Sequence, residues 1–170
     1  ALVVKRLYFD QFSNQIKWNV KPTWYCPTDE WCDDDAIHIK KAISTSLGLE
    51  TNVNLIHETA LLLSQERAIH PVRSYLDSLK WDGIKRLDTW LSDYCGAQKN
   101  ELSMYCGRKV LCAAVARIYN PGVKWDYVLV MEGDQGIGKS LFWATLASQK
   151  FFTDAPLNIN DKGAVEVLQG

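Results

Sequence analysis

The chain has 170 residues and a formal net charge of -1, enough for one ordinary domain or two small ones with a real core. Hydrophobic residues make up 47% and charged residues 23%, the balance of a soluble globular protein, and no apolar run approaches the roughly 20 residues that span a bilayer. Five cysteines with no CxxC pair, and no histidine at zinc spacing, argue against a disulfide framework and a zinc site and fit a reduced, cytoplasmic chain.

"ALVVKRLYFD" places its bases after a very short apolar start, the wrong order for a signal peptide, and Ala1 in place of Met suggests a fragment of a longer chain. Alternation around Tyr8, Phe9 and Ile16, with Asp10 and Ser13-Asn14 as turn formers, predicts a β-hairpin. Pro22 and Pro27 then break the chain. Asp29 is the expected N-cap of a helix through "EWCDDDAIHIKKAISTSLG" ending at Gly48, with three aspartates in its first turns at the positive end of the dipole. A second helix is expected in "NVNLIHETALLLSQERA", capped by Asn52, with Ile56, Ala60, Leu63 and Arg67 down one side.

His70-Pro71 restarts the chain into a short helix, "VRSYLDSLK", and "WDG" makes a tight turn. Another short helix, "LDTWLSDYCG", precedes the longest, "NELSMYCGRKVLCAAVARIY", which Asn120-Pro121-Gly122 ends. Charge is uneven along this order. Residues 1–69 hold 7 bases and 9 acids, 70–125 hold 9 bases and 5 acids, and 126–170 hold 3 bases and 6 acids. The middle segment is the candidate phosphate-facing surface, with Arg73, Lys85, Arg86, Arg108, Lys109, Arg117 and Lys124 as the residues to test for DNA contact.

After "PGVKWD" the character changes. "YVLVMEG" is the aliphatic, β-branched run of a strand buried on both faces, and "GDQGIGKS", Gly133 to Ser140, fits G-x-x-x-x-G-K-[ST]. A chance match somewhere in a chain this long is on the order of one in a hundred. A triphosphate needs many donors converging on it. Glycines at 133, 136 and 138 let backbone N–H groups turn inward with no Cβ in the way, and the start of the following helix adds its field. In this pattern Lys139 reaches the β- and γ-phosphates of ATP and the Ser140 hydroxyl holds Mg²⁺. Asp134, Gln135 and Ile137 fill the variable positions, and Leu141 continues the helix. The expected fold is α/β overall. A mainly helical part with a small β-hairpin (1–69) leads to a helical, locally basic segment (70–125) and the start of a P-loop NTPase core (126–170).

The stretches "HPVRSYLDSLKWDGIKRLDTWLSDYCG", "GRKVLCAAVARIYNPGVKWDYVLVMEGDQGIGKS" and "FFTDAPLNINDKGAVEVLQG" together resemble the virulence-associated protein E family, strongly over about 70–170. That family consists of P-loop proteins of phages, prophages and pathogenicity islands, often the C-terminal part of primase–helicase-like replication proteins. The resemblance implies a bacterial or phage-encoded, ring-forming ATPase with Lys139 as its catalytic lysine, ATP and Mg²⁺ as cofactors, DNA as a partner and no membrane. It also places the acidic Walker B strand after Asp161-Lys162…Leu168-Gln169-Gly170, so that hydrolysis by this chain alone is expected to be negligible. The competing readings are a nucleotide-dependent switch or interaction protein without motor activity, and a small-molecule kinase.

The other chemistry-bearing residues have plainer readings. Asp82 before Gly83 is expected to form a turn, Asp33-Asp34-Asp35 a solvated first helical turn in place of a metal site, and His70 a structural cap. Trp81, Trp90 and Trp125 are expected in the core in preference to stacking on bases. Asp154 is a candidate near the nucleotide.

Overall fold

The computed structural model describes residues 4–154, and the chain divides into two compact units, one running to Asp77 and the other starting at Ser78. Described residues give a mixed α/β fold, mostly helical, with six α-helices and one small three-stranded sheet.

In the first unit a single 3-10 turn, Val4–Arg6, leads into β1 (Leu7–Asp10), which pairs antiparallel with β2 (Gln15–Trp18) through Leu7↔Trp18 and Asp10↔Gln15. The expected hairpin therefore forms. Its turn is tied by Asp10, whose carboxylate accepts the Phe12 N–H at 2.9 Å and the Ser13 N–H at 3.3 Å, and Asn14 takes the left-handed conformation at φ 57°. Asp10 is buried, and its second oxygen faces the Lys17 ammonium at 3.6 Å. A third strand that sequence periodicity does not announce, β3 (Ala68–Ile69), lies parallel to β1, giving the order β2-β1-β3.

Between the hairpin and β3 run α1 (Asp33–Leu47) and α2 (Val53–Gln65). Asp29 does not cap α1. Residues 29–31 are drawn to the edge of β2 instead, where the Trp18 N–H donates to the Asp29 carbonyl at 2.7 Å and the Trp31 N–H to that of Ile16 at 2.9 Å. The helix then starts three residues later, at Cys32, and closes at Gly48 as expected. Asn52 does cap α2, accepting the N–H groups of Asn54 (2.7 Å) and Leu55 (3.2 Å). Its inward face is Ile56, Ala60 and Ser64; Arg67 lies beyond the last helical turn. Leu7, Trp18 and Ala60 form the core cluster, with Ile16, Trp24, Trp31 and Ile39 packed around it. Pro71 opens α3 (Pro71–Ser78), and the His70 Nδ1 accepts the Arg73 N–H at 3.2 Å, so His70 is the structural cap its place before proline suggests.

The second unit holds α4 (Trp90–Cys95), α5 (Glu101–Tyr119) and α6 (Lys139–Ala147), then a 3-10 turn, Gln149–Phe151. Asn100 caps α5 through the Ser103 N–H at 2.9 Å, and the helix stops at Asn120 as its Pro-Gly sequel requires. Gly107 is where α5 meets α4. A Cβ there would stand 2.8 Å from Trp90 Nε1 and 3.2 Å from Leu91 Cδ1. Trp90 is buried and stacks on Phe142 of α6, centroids 5.4 Å apart at 7°.

Two expectations fail here. Trp81 is 76% exposed, because it sits in the loop between α3 and α4 with its Nε1–H given to the Ile84 carbonyl at 3.2 Å. Trp125 is half-buried. "YVLVMEG" forms no strand and has no ladder partner among the described residues, and Val128 is 87% exposed. A strand buried on both faces needs neighbours brought by crossover connections, and its own apolar character supplies none of them.

Candidate functional site

The loop from Gly133 to Ser140 is shaped by its glycines. Gly133 (φ 156°), Gly136 (φ 86°) and Gly138 (φ 91°) all lie at positive φ, where a side chain is strained. At Gly133 a Cβ would fall 2.6 Å from Ile137 Cδ1, the tip of an exposed side chain that can move aside, so backbone conformation and not space is what calls for glycine there. Gly138 is the N-cap of α6, so Lys139, Ser140 and Leu141 are its first three residues, and the Phe142 N–H closes the first turn on the Gly138 carbonyl at 2.9 Å.

The Lys139 ammonium folds back over the loop. It donates to the Gly133 carbonyl at 2.7 Å and the Asp134 carbonyl at 2.9 Å. A cation thus lies across the loop at the positive end of a helix, which is the arrangement that attracts an anion. Asp134, Gln135 and Gly136 are exposed, Ile137 is 60% exposed, and the Ser140 side chain lies on the exposed first turn of α6. The eight positions of the pattern, with Leu141, are therefore one continuous piece of surface. Asp154 is exposed and takes part in no described contact with this loop. Asp161, Lys162, Leu168, Gln169 and Gly170 lie outside the described residues.

The basic candidates fall in both units. Arg73 belongs to α3 of the first unit and the other six to the second. Arg86 grips Asp82 with both guanidinium nitrogens, at 3.0 and 2.7 Å. That guanidinium, helped by the Ile84 N–H, holds the Asp82 carboxyl down from 3.8 to about 2. The turn expected of "WDG" is thus locked by an ion pair, and Asp82 is structural. Arg108 Nε donates to Asp88 at 2.7 Å and holds that carboxyl below its ordinary value. Both pairs border an open cleft of about 560 Å³ beside Trp81 and Trp90. Lys109, Arg117 and Lys124 lie on the other side of the local sequence, on α5 and the segment after it.

The aspartate triplet is also different from expectation. Asp33 is exposed, but Asp35 is 1% exposed and accepts the indole N–H of Trp18 (3.0 Å), that of Trp24 (2.7 Å) and the Cys32 N–H (3.0 Å). It is a structural anchor, not a solvated dipole partner. No cluster of three or more metal-ligating side chains exists among the described residues. Sequence reasoning passed over Tyr105 and Tyr127, both exposed beside basic residues. The signal was available in "KWDYV" and in the i, i+4 spacing of Tyr105 and Lys109.

No described helix is long and apolar enough to cross a membrane. No curated protein matches the chain. The model of the virulence-associated protein E-like domain matches residues 76–170, more than half of the sequence and the whole of the phosphate-loop pattern. The chain belongs to the virulence-associated protein E-like domain family.

Proposed function

We propose that the 133–140 loop binds the triphosphate of Mg·ATP and that the chain is the nucleotide-binding part of a phage or mobile-element replication ATPase acting on DNA. One observation carries this reading: the Lys139 ammonium is folded across a loop of three positive-φ glycines at the start of α6, held among the described residues by two carbonyl oxygens. Phosphate oxygens are stronger acceptors for an ammonium than neutral carbonyls, so a triphosphate displaces these contacts and keeps the same cation. The glycines leave room for the phosphates to approach the backbone.

Ser140 is the residue that fits Mg²⁺. A single hydroxyl does not hold the ion alone, but Mg²⁺ takes few protein ligands and completes its shell with phosphate oxygens and waters. When bound with ATP the ion neutralises charge on those oxygens. Lys139 supplies the second positive charge, and Gly133, Gly136 and Gly138 set the loop's path.

Titration of a fluorescent ATP analogue with Mg²⁺ present tests the site. Lys139→Ala weakens binding about tenfold to a hundredfold, as loss of a charged hydrogen-bonding group does. Equal binding by both chains ends the proposal. DNA binding that weakens steeply with salt supports the replication role over a nucleotide switch that needs no DNA.

A further inference from the structure

One side of α5 and the segment 123–129 enclose a groove of two adjoining hollows, about 300 Å³ and about 230 Å³, that share Lys109 and Trp125. Tyr105, Lys109, Cys112 and Ala116 follow one another at helical spacing, so this wall runs roughly 17 Å along the helix. The other wall is built by a turn at Pro121-Gly122 that sends the chain back past α5.

The walls combine aromatic faces with cations. The Trp125 and Tyr127 rings meet edge to face with centroids 5.4 Å apart, and Tyr127 is still 73% exposed. Tyr105 is 58% exposed, with the Lys109 ammonium 5.3 Å from its ring centre. Lys109 makes no ion pair among the described residues, Arg117 donates to the Trp125 carbonyl at 3.5 Å, and Lys124 has Asp126 at 3.2 Å. Two cations, Lys109 and Lys124, therefore line the groove, and the one carboxylate paired with them is that of Asp126, at Lys124. The cleft at Trp81 differs, because Arg86 and Arg108 are each already held by an aspartate.

We propose that this groove binds single-stranded nucleic acid, with bases stacked on Tyr127 and Tyr105 and phosphates on Lys109 and Lys124. The chemistry selects a single strand: the bases of a duplex are stacked on one another and cannot present their faces to aromatic side chains, whereas a single strand offers π-faces and phosphates together. None of the residues that line the two hollows belongs to the loop 133–140, so the groove and that loop are separate sets of side chains. The inference deepens the DNA part of the function proposed above and is independent of its nucleotide part.

Fluorescence anisotropy of a labelled oligothymidylate, without nucleotide, tests it on the intact chain. Tyr127→Ala weakens binding about tenfold. Lys124→Gln lowers the salt slope by about 0.7. Asp126→Asn tightens binding about twofold by freeing Lys124, a gain that a folding defect does not mimic. An iodouracil strand cross-links to Tyr127 or Trp125. Tyr127→Ala binding as tightly as the unsubstituted chain overturns the groove while leaving a DNA partner elsewhere. Equal affinity for a duplex of the same length, or self-association through the groove that the oligonucleotide does not compete with, overturns it too. No DNA binding at all sinks both the groove and the DNA role, whereas retained ATP binding leaves the phosphate loop standing.

Discussion

The two units solve the problem of buried polarity in different ways. In the first, the buried carboxylates are met by partners: Asp35 takes two indole N–H groups and a backbone N–H, and Asp10 takes two backbone N–H groups and faces Lys17, while the neutral Ser13 Oγ and Gln15 Oε1 have no partner among the described residues. In the second, the charged pairs stay at the surface and the one buried polar atom, Trp90 Nε1, has no partner among the described residues. It faces the bare Gly107. The first unit is therefore specified by directional hydrogen bonds, and the second by the fit of α4 against α5 and of Trp90 against Phe142.

Asp35→Ala tests the first half of this contrast and has the largest expected effect. It strands three donors, of which the Trp18 indole is buried and the other two part-buried, and should cost about 3 kcal/mol, read from urea unfolding followed by tryptophan fluorescence. A loss under 1 kcal/mol would mean that water reaches the indoles. Gly107→Ala tests the second half. The added methyl gains about 1 kcal/mol of helix propensity but collides with Trp90 and Leu91, where overpacking costs about 1–3 kcal/mol. A net loss of about 1 kcal/mol is expected, with the Trp90 fluorescence changed and that of Trp18 unaltered. A stabilised protein would show that α4 yields easily.

What the sequence made legible was local. Asn52 caps α2, Gly48 and Gly96 close their helices, and His70 caps α3, because each needs only a neighbour a few residues away. The glycine-rich turn ahead of α6 was legible for the same reason, as Gly133, Gly136 and Gly138 take positive φ and the helix opens at Lys139. The non-local features were not. β3 pairs Ala68 with Phe9 across the whole length of α1 and α2, and Asp35 is buried because Trp18 and Trp24 reach it from other elements. Asp29 is held at a sheet edge instead of capping α1, its carbonyl accepting the N–H of Trp18, eleven residues upstream. The groove beside α5 needed the turn at Pro121-Gly122 to bring Tyr127 back past Tyr105, and spacing alone does not give that.

A pair of cap substitutions sharpens the comparison at smaller scale. Asn52→Ala and Asn100→Ala each remove a side-chain acceptor from exposed helix N-termini and should cost about 1 kcal/mol apiece. The first should move only the unfolding of the first unit, measured by hydrogen exchange of α2 amides, and the second only that of α5. If either substitution loosens both helices equally, the two units do not unfold as separate bodies.

The smallest effect is expected at the ion pair of the "WDG" turn, and pH isolates it. Asp82 has its carboxyl depressed from 3.8 to about 2, first by the Arg86 guanidinium and then by the Ile84 N–H. A depressed carboxyl favours the folded turn at every pH above its ordinary value, and that preference disappears as pH falls through about 2. The group is exposed and screened by water, so its removal should leave the urea midpoint at pH 7 unmoved. Carboxyl carbon NMR should show Asp82 titrating near 2, and Arg86→Ala should return it towards 3.8. Asp88 should stay depressed in that variant, because its own partner is Arg108. A titration of Asp82 that ignores Arg86 would place the lowering on the turn's backbone N–H groups, and the second unit would then share the first unit's reliance on directed hydrogen bonds.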